Sequence, residues 1–177
     1  MRTARRPVQR LAEDELNQYA LRALACRAHS TAELRQKLEK RAAAPADVER
    51  VLEHFVARGW LEDHRFALDY ARYRATSRRY GRYRITSELR RKGVAEEWIE
   101  EALAEIFPGE KEERAVLRKR MAKRLRHQRP PYSQKLLRSL YASLLRAGFS
   151  SAIIRSELFR GTRAKFSEEI ALEEEEA

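Results

Sequence analysis

Apolar positions along this chain recur on a long period. Three stretches align without gaps: "ELRQKLEKRAAAPADVERVL" (33–52), "ITSELRRKGVAEEWIEEAL" (85–103) and "LYASLLRAGFSSAIIRSEL" (140–158). Leu34, Ile85 and Leu140 coincide, as do Leu38, Leu89 and Leu144, then Val48, Ile99 and Ile154, then Leu52, Leu103 and Leu158, at offsets of 51 and then 55. Within each stretch the first two anchors are four apart and so are the last two, the spacing that stacks side chains on one helix face. Each stretch therefore predicts two short helices. A further polar-rich helix precedes each pair, at 13–28, 64–78 and 111–128. The expected fold is all-α, an elongated tandem array of three three-helix repeats, because one such unit buries too little apolar surface to stand alone. The expected divisions are a basic N-terminal arm (1–12), repeats at 13–61, 62–107 and 108–160, and an acidic C-terminal tail (161–177) that frays.

Punctuation residues support the frame. Gly93 and Gly148 occupy one slot between the two anchor pairs, where a helix end favours a left-handed residue. Ala42 fills that slot in the first repeat, with Pro45 suited to the first turn of the next helix. Ser30-Thr31-Ala32-Glu33 has the form of a capping box, Ser150 is placed to cap the last helix, and "QRPPY" (128–132) interrupts the third repeat.

Charge gives the frame a surface. Charged residues make up 37% of the chain, which carries a formal net charge of +11 and a pI near 10.1, a balance that favours a polyanionic partner. Residues 72–92 hold nine Lys/Arg against one acid and 111–146 hold twelve against two, whereas 94–110 carry six glutamates and no base. Glu168 to Glu176 carry six more glutamates. Contact candidates in the middle repeat are Arg74, Arg78, Arg79, Tyr80, Arg82, Tyr83, Arg84, Arg90, Arg91 and Lys92. In the third they are Arg118, Lys119, Arg120, Lys123, Arg124 and Arg126. The middle set wraps round a helix, so not all of it meets one partner. Helical spacing assigns Phe66, Tyr70 and Tyr73 to packing. Tyr80 and Tyr83, beside Gly81 and several arginines, are the better candidates for stacking on a base or partner, with packing of Tyr83 over its own helix the alternative. Arg79→Glu with Arg82→Glu is expected to leave unfolding nearly unchanged while weakening binding.

Catalytic chemistry finds little support. The lone Cys26 gives no intramolecular disulfide framework and reads as a small apolar residue on a helix face, suited to a reducing cytoplasm. His29, His54, His64 and His127 lack compact metal-ligand spacing, and Cys26-x-x-His29 has no second ligand pair. Glu62-Asp63-His64 reads as a helix-start cluster whose side chains diverge. No Walker-type or dinucleotide fingerprint occurs. No catalytic residue, metal or cofactor is expected. The basic start "MRTARRPVQR" runs into "LAEDELNQ" without an apolar core, unlike a signal peptide, and no segment has the length of a membrane span.

Three pieces carry a family resemblance. "RAHSTAELRQKL" (27–38) supplies Arg27, Ser30, Glu33, Leu34, Lys37 and Leu38. "GWLEDHRFA" (59–67) supplies a glycine-aromatic-leucine-acid-acid run followed by Phe-Ala. "GRYRITSELRRKGV" (81–94) supplies Gly81, Arg84, Ile85, Glu88, Leu89, Lys92, Gly93 and Val94. Together they span about residues 20–106 and resemble the RecX regulators of the RecA recombinase. Trp60 stands where Tyr or Phe is usual and Glu62 where Asp or Asn is usual. The third repeat enters only through the internal period, and the acidic tail has no counterpart. The resemblance implies a non-enzymatic, cytoplasmic, monomeric protein that binds RecA, enters the groove of the RecA–DNA filament, and limits growth, ATPase and strand exchange in recombination, repair and the SOS response. Direct contact with single-stranded DNA would add a salt-sensitive term. The alternatives are a stand-alone nucleic-acid-binding helical protein, or a helical scaffold for another acidic protein.

Overall fold

A computed structural model describes residues 10–160. Residues 1–9 of the arm and the tail at 161–177 lie outside the described residues. The helices are α1 (Glu13–Cys26), α2 (Thr31–Glu39), α3 (Pro45–Ala57), α4 (Asp63–Thr76), α5 (Arg82–Arg91), α6 (Glu96–Ile106), α7 (Glu110–Leu125) and α8 (Gln134–Arg146), followed by α9 at 151–160. Among the described residues there is no strand beyond one isolated parallel bridge, Leu11 with Ala42, and no helix is long and apolar enough to cross a membrane. The chain is all-α, built from three-helix repeats.

Two compact units are present, Met1–Asp69 with Leu89–Glu101, and Tyr70–Glu88 with Ala102–Ala177. In the first, α1, α2 and α3 pack around Leu16, Ala20, Leu34, Leu38, Val48, Val51, Leu52 and Phe55. In the second, Leu117 of α7, Leu140 and Leu144 of α8, and Ile153 and Ile154 of α9 form a core with Phe149. Every anchor read from the sequence is buried apart from Leu158, which is half-buried against the second core. At about 1.5–3 kcal/mol for each fully buried side chain, against ~0.2–1 for an exposed ion pair, these anchors hold the fold.

Helix ends explain the glycine slot. Gly93 and Gly148 have φ of 71° and 88°. The Gly93 and Val94 N–H groups donate to the Arg90 and Leu89 carbonyls, and those of Gly148 and Phe149 to Leu145 and Leu144, which is the Schellman pattern. Gly59 closes α3 in the same way, with a φ of 67°. Ala42 needs no left-handed residue, because Arg41 and Ala43 exchange backbone hydrogen bonds with Leu11.

Only half of the capping box at Ser30 forms. Ser30 Oγ accepts from the Glu33 N–H at 3.1 Å, while the Glu33 carboxylate turns to Arg27 and Lys92 instead of the cap backbone. The Ser30 hydroxyl donates to the Lys92 carbonyl, and a Cβ on Gly93 would meet Ala32. Ser30 therefore fastens the start of α2 to the end of α5. Ser133 and Ser150 cap α8 and α9 through the Leu136 and Ile153 N–H groups, at 3.3 and 3.2 Å.

A candidate polyanion-binding cleft

The α4–α5 corner, residues 77–81, is fixed by its backbone. Gly81 is buried and donates its N–H to the Ala147 carbonyl at 2.8 Å, and the Tyr83 N–H reaches the Gly148 carbonyl at 3.1 Å. A Cβ on Gly81 would lie 2.5 Å from the Gly148 oxygen, so no larger residue fits there. Arg79 adopts a φ of 53°, the left-handed region that a non-glycine residue enters at a cost of roughly 1 kcal/mol. Arg120 of α7 clamps the corner, its guanidinium donating to the Arg78 and Arg79 carbonyls at 2.9 and 3.3 Å.

This arrangement opens a cleft of about 480 Å³. Arg78 and Arg79 line it from the corner and Arg120, Lys123 and Arg124 from α7, together with Leu140 and Leu144, and among the described residues no carboxylate lines it. Burial, joined by the like charges of Arg84 and Arg79, outweighs the favourable influence of Tyr80 and pulls the Arg120 guanidinium below its usual value. Like charges held together in partly desolvated surroundings are what an incoming anion relieves.

Other sequence candidates are engaged inside the protein. Buried Glu88 accepts hydrogen bonds from Arg84 Nε at 3.1 Å and the Tyr70 hydroxyl at 3.0 Å, and forms an ion pair with Arg74, whose Nε lies 2.9 Å away. Arg84 also donates to the Arg146 carbonyl. Arg82 donates to the Phe107 carbonyl at 2.6 Å, and its backbone N–H donates to buried Glu113 at 3.1 Å. Arg82 therefore braces the second unit, and the paired Arg79→Glu, Arg82→Glu substitution mixes contact with fold. Arg90 pairs with Glu96. Lys92 pairs with Glu33 at 2.7 Å and lies over the Phe66 ring. Arg118 shares buried Glu157 with Arg114.

Tyr80 is half-buried, with the Arg84, Arg120 and Arg74 guanidinium carbons 4.4, 5.6 and 5.7 Å from its ring centroid, so it is not the open stacking surface expected. Tyr83 is 65% exposed. Phe66 is buried as expected, but Tyr73 is exposed and lies beside the Arg78 guanidinium. Among the described residues, Arg79, Arg91, Lys119, Lys123, Arg124 and Arg126 have no ion-pair partner. Sequence reasoning missed Ser77 and Ser143, whose place in the cleft lining has no signature in the local pattern.

Among the described residues no three His, Cys, Asp or Glu side chains gather as a metal site. Cys26 is the last residue of α1 and is exposed, whereas His29 is buried with Nδ1 donating to the Arg27 carbonyl at 2.9 Å. Burial lowers the His29 pKa, against the raising influence of its hydrogen bond to Arg27. Glu62-Asp63-His64 does diverge: Asp63 accepts the Thr31 N–H at 2.7 Å, His64 faces Glu101 at 3.3 Å, and Glu62 is exposed.

Comparison with known proteins agrees with this frame. Residues 18–55 match the first three-helix domain of RecX and 63–103 match the second. The regulatory protein RecX of Mycobacterium sp. (strain KMS) is 35% identical over 143 residues, 80% of this chain and 78% of that protein. That of Deinococcus radiodurans is 38% identical over 153 residues, 85% of this chain and 70% of that protein. The crystal structure of RecX from Lactobacillus salivarius superposes with a TM-score of 0.67 at 20% identity, covering 84% of this chain and 95% of that one. By sequence relationship and by fold, the chain belongs to the RecX family.

Proposed function

We propose that this protein binds the RecA recombinase and the RecA–DNA filament, and limits filament growth, ATPase and strand exchange during recombination and DNA repair. In this reading it is a cytoplasmic monomer that takes part in the SOS response, and it acts by occupancy rather than by catalysis. The observation that supports the reading is the cleft in which two basic blocks, distant in sequence, converge with no acid between them among the described residues. A cleft lined by five cations suits the phosphates that a RecA–DNA filament carries. Arg79, Lys123 and Arg124 are the side chains that would reach them, with Lys119 and Arg126 adding to the field. Arg91 and Tyr83 are further exposed contact candidates.

The test is a titration of RecA's DNA-dependent ATPase. Substoichiometric protein is expected to inhibit it, and Lys123→Ala with Arg124→Ala to weaken inhibition by about tenfold, since each lost phosphate contact removes roughly one released counterion. Unfolding of that variant should match the parent, because both side chains are exposed and without ion-pair partners. Absence of inhibition over a broad concentration range overturns the proposal. Tight binding to naked DNA at physiological salt without any effect on RecA would favour stand-alone nucleic-acid binding.

A further inference from the structure

Helical spacing assigns Tyr73 to packing, yet the residue is 49% exposed. Its neighbours on α4 are engaged within the second unit: the Tyr70 hydroxyl donates to Glu88, and Arg72 pairs with Glu105. What adjoins Tyr73 is the cationic cleft. The Ser77 N–H donates to the Tyr73 carbonyl at 2.9 Å, which continues the helical turn and sets the two side chains on one face. Ser77 and Arg78 both line the cleft, and the Arg78 guanidinium carbon lies 5.9 Å from the Tyr73 ring centroid. Arg120 fixes this segment by donating to the Arg78 carbonyl. An open aromatic ring therefore stands beside the converging cations. We propose that Tyr73 is a base-stacking platform at the edge of the cleft and makes the site selective for single-stranded DNA. This rests on reading the cleft as a phosphate-contacting surface.

A single strand uses both halves of the arrangement at once. Its phosphates meet Arg79, Lys123 and Arg124, and an unpaired base beside them lays its face on the Tyr73 ring. Every base has a π-face, so the contact tolerates any sequence. Interior bases of a duplex already have both faces covered by their neighbours, and a duplex is left with the phosphate contacts alone. Tyr80, nearer the cleft, cannot serve in this way because three guanidinium groups surround its ring. At Tyr73 the single arginine sits near the outer limit of cation–π contact, roughly 6 Å, and leaves the ring open. Stacking on an aromatic side chain changes affinity by about fivefold to over a hundredfold for each base. One base on one ring face places Tyr73 toward the lower part of that range, at about tenfold.

The experiment measures anisotropy of three fluorescein-labelled ligands across a salt series: an oligothymidylate, a strand of equal length built from abasic tetrahydrofuran residues, and the corresponding duplex. The proteins are the parent chain, Tyr73→Ala, Tyr73→Phe, and Lys123→Ala with Arg124→Ala. Tyr73→Ala is expected to weaken oligothymidylate binding about tenfold and to change duplex and abasic binding by less than about twofold. Tyr73→Phe keeps the ring and should retain the parental affinity. The slope of log affinity against log salt should stay unchanged in Tyr73→Ala and fall by about 1.4 when Lys123 and Arg124 are removed, at about 0.7 per single-strand phosphate contact. Unaltered duplex binding by Tyr73→Ala also reports an intact cleft. An equal loss on all three ligands overturns the inference, as does a loss in Tyr73→Phe as large as that in Tyr73→Ala. No loss in Tyr73→Ala, with the Lys123 and Arg124 substitutions still weakening binding, overturns it and leaves the cleft reading intact. Lys123 and Arg124 substitutions that change neither DNA binding nor RecA inhibition sink the cleft reading and this inference with it.

Discussion

Arg82→Ala tests whether this arginine braces the fold or forms a contact surface. Its charge-assisted hydrogen bond to the Phe107 carbonyl, at 2.6 Å, is worth about 1.5–3 kcal/mol. The guanidinium also lies over the Phe107 ring, 5.5 Å from its centroid, for about 0.5–1 kcal/mol. Its ion pair with Glu113 is long, 3.9 Å, and the Arg82 side chain is 38% exposed, so that share is discounted to about 1 kcal/mol. These parts are not additive, and the expected loss is about 3 kcal/mol, or roughly 6–12 °C in Tm for a chain of this size. The loss should depend on pH. Burial pushes the Glu113 carboxyl above its ordinary 4.5, while the Arg82 backbone N–H and charge hold it down. A raised carboxyl contributes stability that is fully present below its unfolded value and lost as pH climbs through the folded one. Removing Arg82 raises it further, so the deficit should be largest at neutral pH and shrink on acidification toward 4.5. Urea unfolding of parent and variant, followed across pH, provides the readout. A loss under about 0.5 kcal/mol at pH 7, or a deficit that grows on acidification, would refute the reasoning.

Further predictions separate conformation, packing and charge. Gly148→Ala should cost about 3 kcal/mol or more, because its Cβ would meet the Arg84 backbone. Gly59→Ala should cost only about 1 kcal/mol, having a similar φ and nothing within 4 Å; equal losses in urea midpoints would show that space at Gly148 is not the issue. Arg79→Gly should leave unfolding unchanged or improve it by up to about 1 kcal/mol by relieving the left-handed backbone, yet weaken salt-dependent binding to an anionic oligonucleotide; a large loss of stability would refute the strain argument. Burial acts to raise the Glu33 carboxyl, but hydrogen bonds from Arg27 and Lys92 overcome it and hold it at about 2. Its contribution is therefore present above 4.5 and lost as pH falls toward 2, so the stability gap between parent and Glu33→Gln, from urea midpoints, should be widest near neutrality and close in acid.

The fold was largely legible because its signal is periodic. Leu34, Leu38, Leu89 and Leu144 are fully buried, and four-residue spacing marks them without knowledge of tertiary structure. Gly93 and Gly148 were legible for a local reason, since helix closure of this kind selects a left-handed residue. The site was less so. Arg79 and Arg82 look alike in a basic run, but Arg79 lines the cleft while Arg82 hydrogen-bonds to Phe107, 25 positions away. Convergence of Arg79 with Lys123 and Arg124 depends on how α7 packs beside the α4–α5 corner, which local spacing does not encode. Tyr80 misled because an aromatic among arginines has the same sequence signature whether it is free to stack or already enclosed by them.

The residues that reveal the family are therefore mostly those that build it. Gly81 gives room to the Gly148 carbonyl, Glu88 gathers Arg74 and Arg84, and Lys92 with Gly93 joins α5 to Ser30, Ala32 and Glu33. Even Gly59, Trp60 and Leu61 serve the fold: Gly59 closes α3, the Trp60 ring lies edge-on to Phe55 at 5.4 Å, and Leu61 is buried. Among the described residues, contact-candidate cations without an ion-pair partner include Lys119, Lys123, Arg124 and Arg126 in the third repeat, beyond the stretch that carries the resemblance, whereas Arg79 and Arg91 lie within it. An exposed cation has few steric requirements, and several arrangements can give the same field, whereas a glycine under a carbonyl has no substitute. Motif-directed mutagenesis would consequently produce unfolded protein and suggest contact residues falsely. Charge substitutions at Lys123 and Arg124, with unfolding measured alongside inhibition, address the interaction itself.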